Sequence, residues 1–212
     1  MTTLGLRERK KAETRDALMA AALRLVDERG LEHVTVDEIA TEAGVSPRTF
    51  FNYFPSKEDA IVGSSPAFTA SVVEALRERP DDEPPLESLR HAVHVSGDHL
   101  EAEPDAWFVR RRLAERYPSL AVLHSARLAA VERELVVEIA RRTRLDPDTD
   151  TYPGVVVGAA LAAARVALAA WGARSRRGSL PARFDEVFAQ LQDGLPAPPD
   201  ARPPARTRSS RR

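Results

Sequence analysis

Cysteine is absent from all 212 residues. Disulfides, thiol catalysis and cysteine-based zinc sites are thereby excluded. Net charge is nearly absent as well, at −1 with 30% charged residues. Binding to a polyanion must therefore come from local patches rather than from gross charge. No apolar stretch at the start resembles a signal peptide, which predicts a cytoplasmic protein. There is no G-x-S-x-G elbow, no P-loop and no G-x-G-x-x-G, and paired carboxylates fall only on ordinary charged faces. These absences argue against an enzyme, and no motif requires a cofactor. Lysine is confined to Lys10, Lys11 and Lys57, and asparagine occurs once, as Asn52. Strand patterns and internal repeats are missing too. One apolar run, residues 151–172, approaches the length of a membrane span. It is mostly alanine, contains Arg165 and lacks flanking membrane architecture, so it reads as a closely packed helix with no membrane partner.

What is present centres on residues 35–57, TVDEIATEAGVSPRTFFNYFPSK. Thr35 followed by Glu38 is a capping box, which satisfies two backbone donors at a helix start. Gly44 supplies the positive φ that ends this first helix. Ser46 is a good N-cap for the second, and Pro47 at its first position loses no hydrogen bond. A further helix starts at Ser56. Val36, Ile39, Ala40, Val45, Phe50 and Phe54 are the apolar positions. Ala40 lets the two helices approach, and Phe50 fills their angle. This is the helix-turn-helix pattern, whose second helix enters the DNA major groove.

The rest of the chain reads as all-α. Residues 1–9 are expected to be a flexible basic arm; its charges serve either as phosphate contacts or as a solvated helix start. Residues 10–63 form the DNA-binding domain. Its first helix, 10–29, presents Leu18, Ala22, Leu25 and Val26 on one face and stops at Gly30. The helix from Ser56 is expected to run to about Arg79, with a kink or break near residues 63–66 because of Pro66. Residues 64–194 form a second helical domain, and 195–212, rich in proline and arginine, a disordered tail. Within the second domain, Leu128, Val131, Leu135 and Ile139 make the stripe of a long helix from Pro118. Phe184, Val187, Phe188 and Leu191 make that of the last helix. Arg110 to Arg112 are consecutive and must point in different directions.

The segment IATEAGVSPRTFFNYFPSKEDAI resembles the DNA-binding segment of TetR-type bacterial regulators, and the resemblance extends over residues 10–62. It implies a ligand-responsive regulator, a repressor released by an effector. The alternatives are an activator or a ligand-independent DNA binder. A single unit reads few base pairs, so a homodimer on a pseudo-palindromic double-stranded operator is expected, with recognition helices about 34–36 Å apart. Its interface would be the last two helices. Thr35, Ser46 and Lys57 sit at helix starts, where phosphates are favoured. Thr49 and Tyr53 offer hydroxyls, and Pro47 belongs to the same surface. Arg48 and Asn52 are the candidates for guanine and adenine edges. The family often has tyrosine where this chain has Phe51; lacking a hydroxyl, Phe51 is assigned mainly to packing.

For an effector, His94, Trp107, Phe108, Arg112, Arg165 and Trp171 are the candidate pocket residues. Residues 111–143 look similar to a TetR-type branch with acyl-CoA-like ligands. That resemblance implies an acyl chain in an apolar tunnel, with arginines meeting its phosphates. His91, His94 and Asp98 share a helix face, read as a polar face rather than a metal site.

Overall fold

Proline opens most of the longer helices, where its fixed φ suits the first turn and its missing N–H costs nothing. A computed structural model describes residues 6–63, 66–173 and 179–196. Among these residues the regular structure is helical, without strands. The order is α1 (Leu6–Arg29), a 3-10 turn at Leu31–His33, α2 (Val36–Glu42), α3 (Pro47–Phe51) and α4 (Lys57–Val62). Then come α5 (Pro66–Arg77), α6 (Pro85–Ala102), α7 (Pro104–Arg116), α8 (Pro118–Thr143), α9 (Thr151–Ala173) and α10 (Leu180–Gln192). Helix α1 starts earlier than its apolar spacing predicts, so residues 6–9 are helical rather than a flexible arm; residues 1–5 lie outside the described residues. The expected long helix after Ser56 is two helices, since Gly63 takes φ 65° and terminates α4 before Pro66 opens α5. Of the tail, residues 197–212 lie outside the described residues.

Two apolar cores form. The first takes Leu18, Ala22, Leu25 and Val26 of α1, Ile39 and Ala40 of α2, and Phe50, Phe54 and Ile61. It is completed by Leu113, Tyr117 and Leu120, from the end of α7 and the start of α8. Residues 10–63 therefore do not close their own core. The second core joins α5, α6, α8, α9 and α10 through Leu76, Leu89, Ile139, Val157, Trp171, Phe184 and Phe188. Leu135 and Ile139 of the α8 stripe are buried there, but Leu128 is exposed, so the stripe ends sooner than its spacing suggests. Helix α9 has the length and hydropathy of a membrane span. In the fold its Val157, Ala160, Ala164, Ala167 and Trp171 pack into the second core.

Polar contacts tie α8 to its surroundings. Arg142 donates to the carbonyls of Leu76, Arg79 and Pro80, capping the end of α5. Buried Glu138 accepts from Arg77 and Arg141. Tyr117 ties the start of α8 to the N-terminal helices within the first core: its Oη accepts from the buried Leu31 N–H at 3.1 Å. Tyr117→Phe keeps the ring but strands that N–H. We expect a loss of about 1–3 kcal/mol, read from urea unfolding.

Candidate nucleic-acid interface

The helix-turn-helix is built from local signals. The Glu38 N–H donates to Thr35 Oγ1 at 3.3 Å, and the Thr35 N–H donates to Glu38 Oε2 at 2.9 Å. The Thr35 N–H first, and then the Thr35 hydroxyl that donates to Glu38 Oε2 at 2.9 Å, hold the Glu38 carboxyl below its ordinary range. Gly44 takes φ 70°, and the Val45 N–H reaches back to Ala40 O at 2.9 Å. The Thr49 N–H donates to Ser46 Oγ at 3.1 Å, and Pro47 starts α3. Phe50 and Phe54 lie fully beneath α3 with Ile39 and Ala40, so the helix has one inward face and one outward face. Arg29 pairs with Glu38, and Arg24 with Glu42, which neutralises acidic groups on α2.

The outward surface carries Ser46, Pro47, Arg48 and Asn52, all exposed, with Thr49 and Tyr53 half-exposed and Thr35 exposed at the start of α2. Ser46 Oγ and Thr49 Oγ1 are within 2.9 Å of each other, so both hydroxyls also serve the cap. Two expectations change. Phe51 is not a packing residue: its ring is 57% exposed and meets Phe50 only edge-on, at 5.5 Å. Core contact goes to Phe50 and Phe54, four apart, leaving Phe51 out of phase. Lys57 does not simply stand at a helix start. Its Nζ donates to Leu31 O at 2.6 Å and Val34 O at 2.8 Å, so one of its three donors remains. Arg15, read from the sequence only as one of the basic residues near the arm, makes a contact that sequence reasoning missed. Its Nη1 donates to Tyr53 O at 3.2 Å, and its guanidinium lies 4.3 Å from the Phe54 ring centre. Burial, with Arg127 nearby, lowers its pKa. No local motif could have signalled this contact, which spans 38 residues.

Of the six candidate effector residues, three come together. Trp107 meets Phe108 edge-on at 4.8 Å, and Phe108 stacks on Trp171 at 5.6 Å. Gly172 allows this, since a Cβ there would lie 2.9 Å from Phe108 Cε1. The other three go elsewhere. His94 pairs with Asp185 of α10 at 3.0 Å. Arg112 pairs with Asp27 of α1 at 2.5 Å. Arg165 is exposed, because buried Ala164, Ala167 and Trp171 fix the inner face of α9 and residue 165 is turned from it. The neighbouring arginines diverge as expected: Arg111 pairs with Glu115, and Arg110 donates to Ile61 O of α4 at 3.2 Å. Burial lowers the Arg110 pKa.

His91, His94 and Asp98 do not gather: His94 is held by Asp185, and Asp98 is exposed. A different set, Glu83, Glu87 and His91, brings its ligand atoms within 4.8 Å. Its carboxylates are already engaged, Glu83 by Arg79 and Ser88, Glu87 by Arg90 and Gln192. Arg79 first among these holds Glu83 down to about 2.

Residues 18–60 match the family described as bacterial regulatory proteins, tetR family, and residues 83–196 match the MftR C-terminal domain. The chain is 36% identical over 199 residues to the HTH-type transcriptional regulator TcmR of Streptomyces glaucescens, covering 90% of this chain and 88% of that one. The fatty acid degradation regulator FadR of Bacillus halodurans shares the fold, with TM-score 0.59, 20% identity and coverage of 92% and 98%. FadR of Thermus thermophilus, a transcriptional repressor solved in complex with lauroyl-CoA, does so at TM-score 0.51, 23% identity and coverage of 89% and 98%.

Proposed function

The chain belongs to the tetR family of bacterial regulatory proteins, and on that premise we propose that it is a cytoplasmic, homodimeric repressor released from its operator by a small apolar or acyl-CoA-like effector. Its relatives are DNA-binding transcriptional regulators, not enzymes. The observation that carries the reading is the outward face of α3, where Arg48 and Asn52 stand exposed on a frame of buried Phe50 and Phe54. Arginine pairs with guanine and asparagine with adenine in the major groove. Ser46, Thr49, Tyr53, Thr35 and the remaining donor of Lys57 would meet phosphates.

Dimerisation through α9 and α10 is supported by Tyr152, Val155 and Val166, exposed within a narrow sector of α9. The acyl-CoA proposal draws on the lauroyl-CoA complex of the Thermus thermophilus protein. The effector would bind around Trp107, Phe108 and Trp171, on α7 and α9. Helix α7 belongs to both cores: Trp107 and Phe108 pack on the second, Leu113 and Tyr117 lie within the first, and Arg110 reaches the end of α4. A ligand that prefers one setting of α7 then shifts the population of DNA-competent dimers. The shift is limited to its differential affinity for the two states.

Fluorescence anisotropy with DNA from upstream of the protein's own gene, titrated with and without a long-chain acyl-CoA, tests this. The expected result is tight, sequence-specific binding that acyl-CoA releases. Arg48→Ala is expected to relax base preference, and Tyr53→Phe to weaken all sequences alike. Binding of DNA and acyl-CoA with no mutual effect would discard the effector assignment; equal loss of specific and nonspecific affinity in Arg48→Ala would discard its base-reading role.

A further inference from the structure

The exposed ring on α3 bears on what the operator contains. Phe51 is 57% exposed, whereas the described side chains of the other phenylalanines are buried or half-buried. It stands on the same side of the helix as Arg48 and Asn52. Those two are four apart, and so are Pro47 and Phe51, all four exposed. The reading face is thus divided into a polar strip and an apolar strip. A phenyl ring has no donor for phosphate oxygens. What it gains on binding comes from removing apolar surface from water. In the major groove the apolar group on a base edge is the 5-methyl of thymine. We propose that Phe51 is a specificity-determining residue that reads a thymine methyl in each half-site. This rests on the DNA-binding reading above.

The test begins with an operator selected by the full-length protein from random duplex DNA. Each thymine is then replaced by uracil, which deletes the methyl and leaves the pairing and hydrogen-bonding edges unchanged. At one position per half-site, uracil is expected to weaken the wild-type protein about fourfold, and about fifteenfold with both half-sites replaced. Phe51→Ala is expected to lose affinity for the thymine operator by a similar factor and to become indifferent to uracil at that position. Phe51→Leu, which keeps an apolar side chain, is expected to retain part of the discrimination, and its unchanged melting temperature would show an intact fold. Wild-type indifference to every uracil, or full uracil sensitivity in Phe51→Ala, would overturn the inference while the DNA-binding reading stood. A selection that enriched no sequence would overturn both.

Discussion

Phe50→Ala is expected to destabilise the N-terminal core by about 3–5 kcal/mol and to remove specific DNA binding. Phe50 is fully buried between α3 and the helices beneath it, with ring contacts to Phe51 and Phe54 at 5.5 and 5.8 Å. Deleting the ring leaves a cavity that the short helices can only partly collapse into. Because α3 is only five residues long, packing rather than intrinsic helix propensity holds it. The loss should therefore appear at the reading face first. Urea unfolding followed by far-UV circular dichroism gives the stability change, and anisotropy on the selected operator gives the binding loss. Near wild-type affinity with a lowered midpoint would mean that α3 keeps its place without Phe50.

Phe184→Ala is expected to cost a similar amount, about 3–5 kcal/mol, in the other core. The ring presses against Gly97 of α6 so closely that a Cβ at that position would lie 2.6 Å from it. It also lies 6.0 Å from the His94 ring, which in turn holds Asp185. Removing it loosens α10 from α6 and opens the Asp185 contacts with Arg90 and His94. If α10 forms the subunit interface as proposed, dimer dissociation should follow at micromolar concentration. Sedimentation velocity beside thermal unfolding would register both effects. A stable, unaltered dimer would place the interface away from α10.

The helix-turn-helix was legible because its determinants are local. Thr35 with Glu38, Ser46 before Pro47, and Gly44 at positive φ act within a turn or two of chain, and the structure realises each of them. The contacts that join α7 and the residue after it to the N-terminal helices were not legible. Tyr117 to Leu31 spans 86 residues, Arg110 to Ile61 spans 49, and no local pattern announces either. The directions of Phe51 and Arg165 follow from helical phase. Residues 50 and 54 claim the inner face of α3, which turns residue 51 outward. Residues 164, 167 and 171 claim that of α9, which turns Arg165 away from the aromatic cluster. Lys57 is different: its position was visible, but not its capture by two carbonyls of the 3-10 turn.

The sharing of α7 and α8 with the N-terminal core bears on modularity. The unit that could be exchanged between regulators is discontinuous, since it includes Leu113, Tyr117 and Leu120 as well as the first four helices. A chimaera spliced between α4 and α5 would graft one protein's reading head onto another's keystone. Recombination at that seam transfers DNA specificity only when the incoming α1 and α4 fit the resident α7. The same fit that carries a signal between the two halves thus restricts how their lineages can be shuffled.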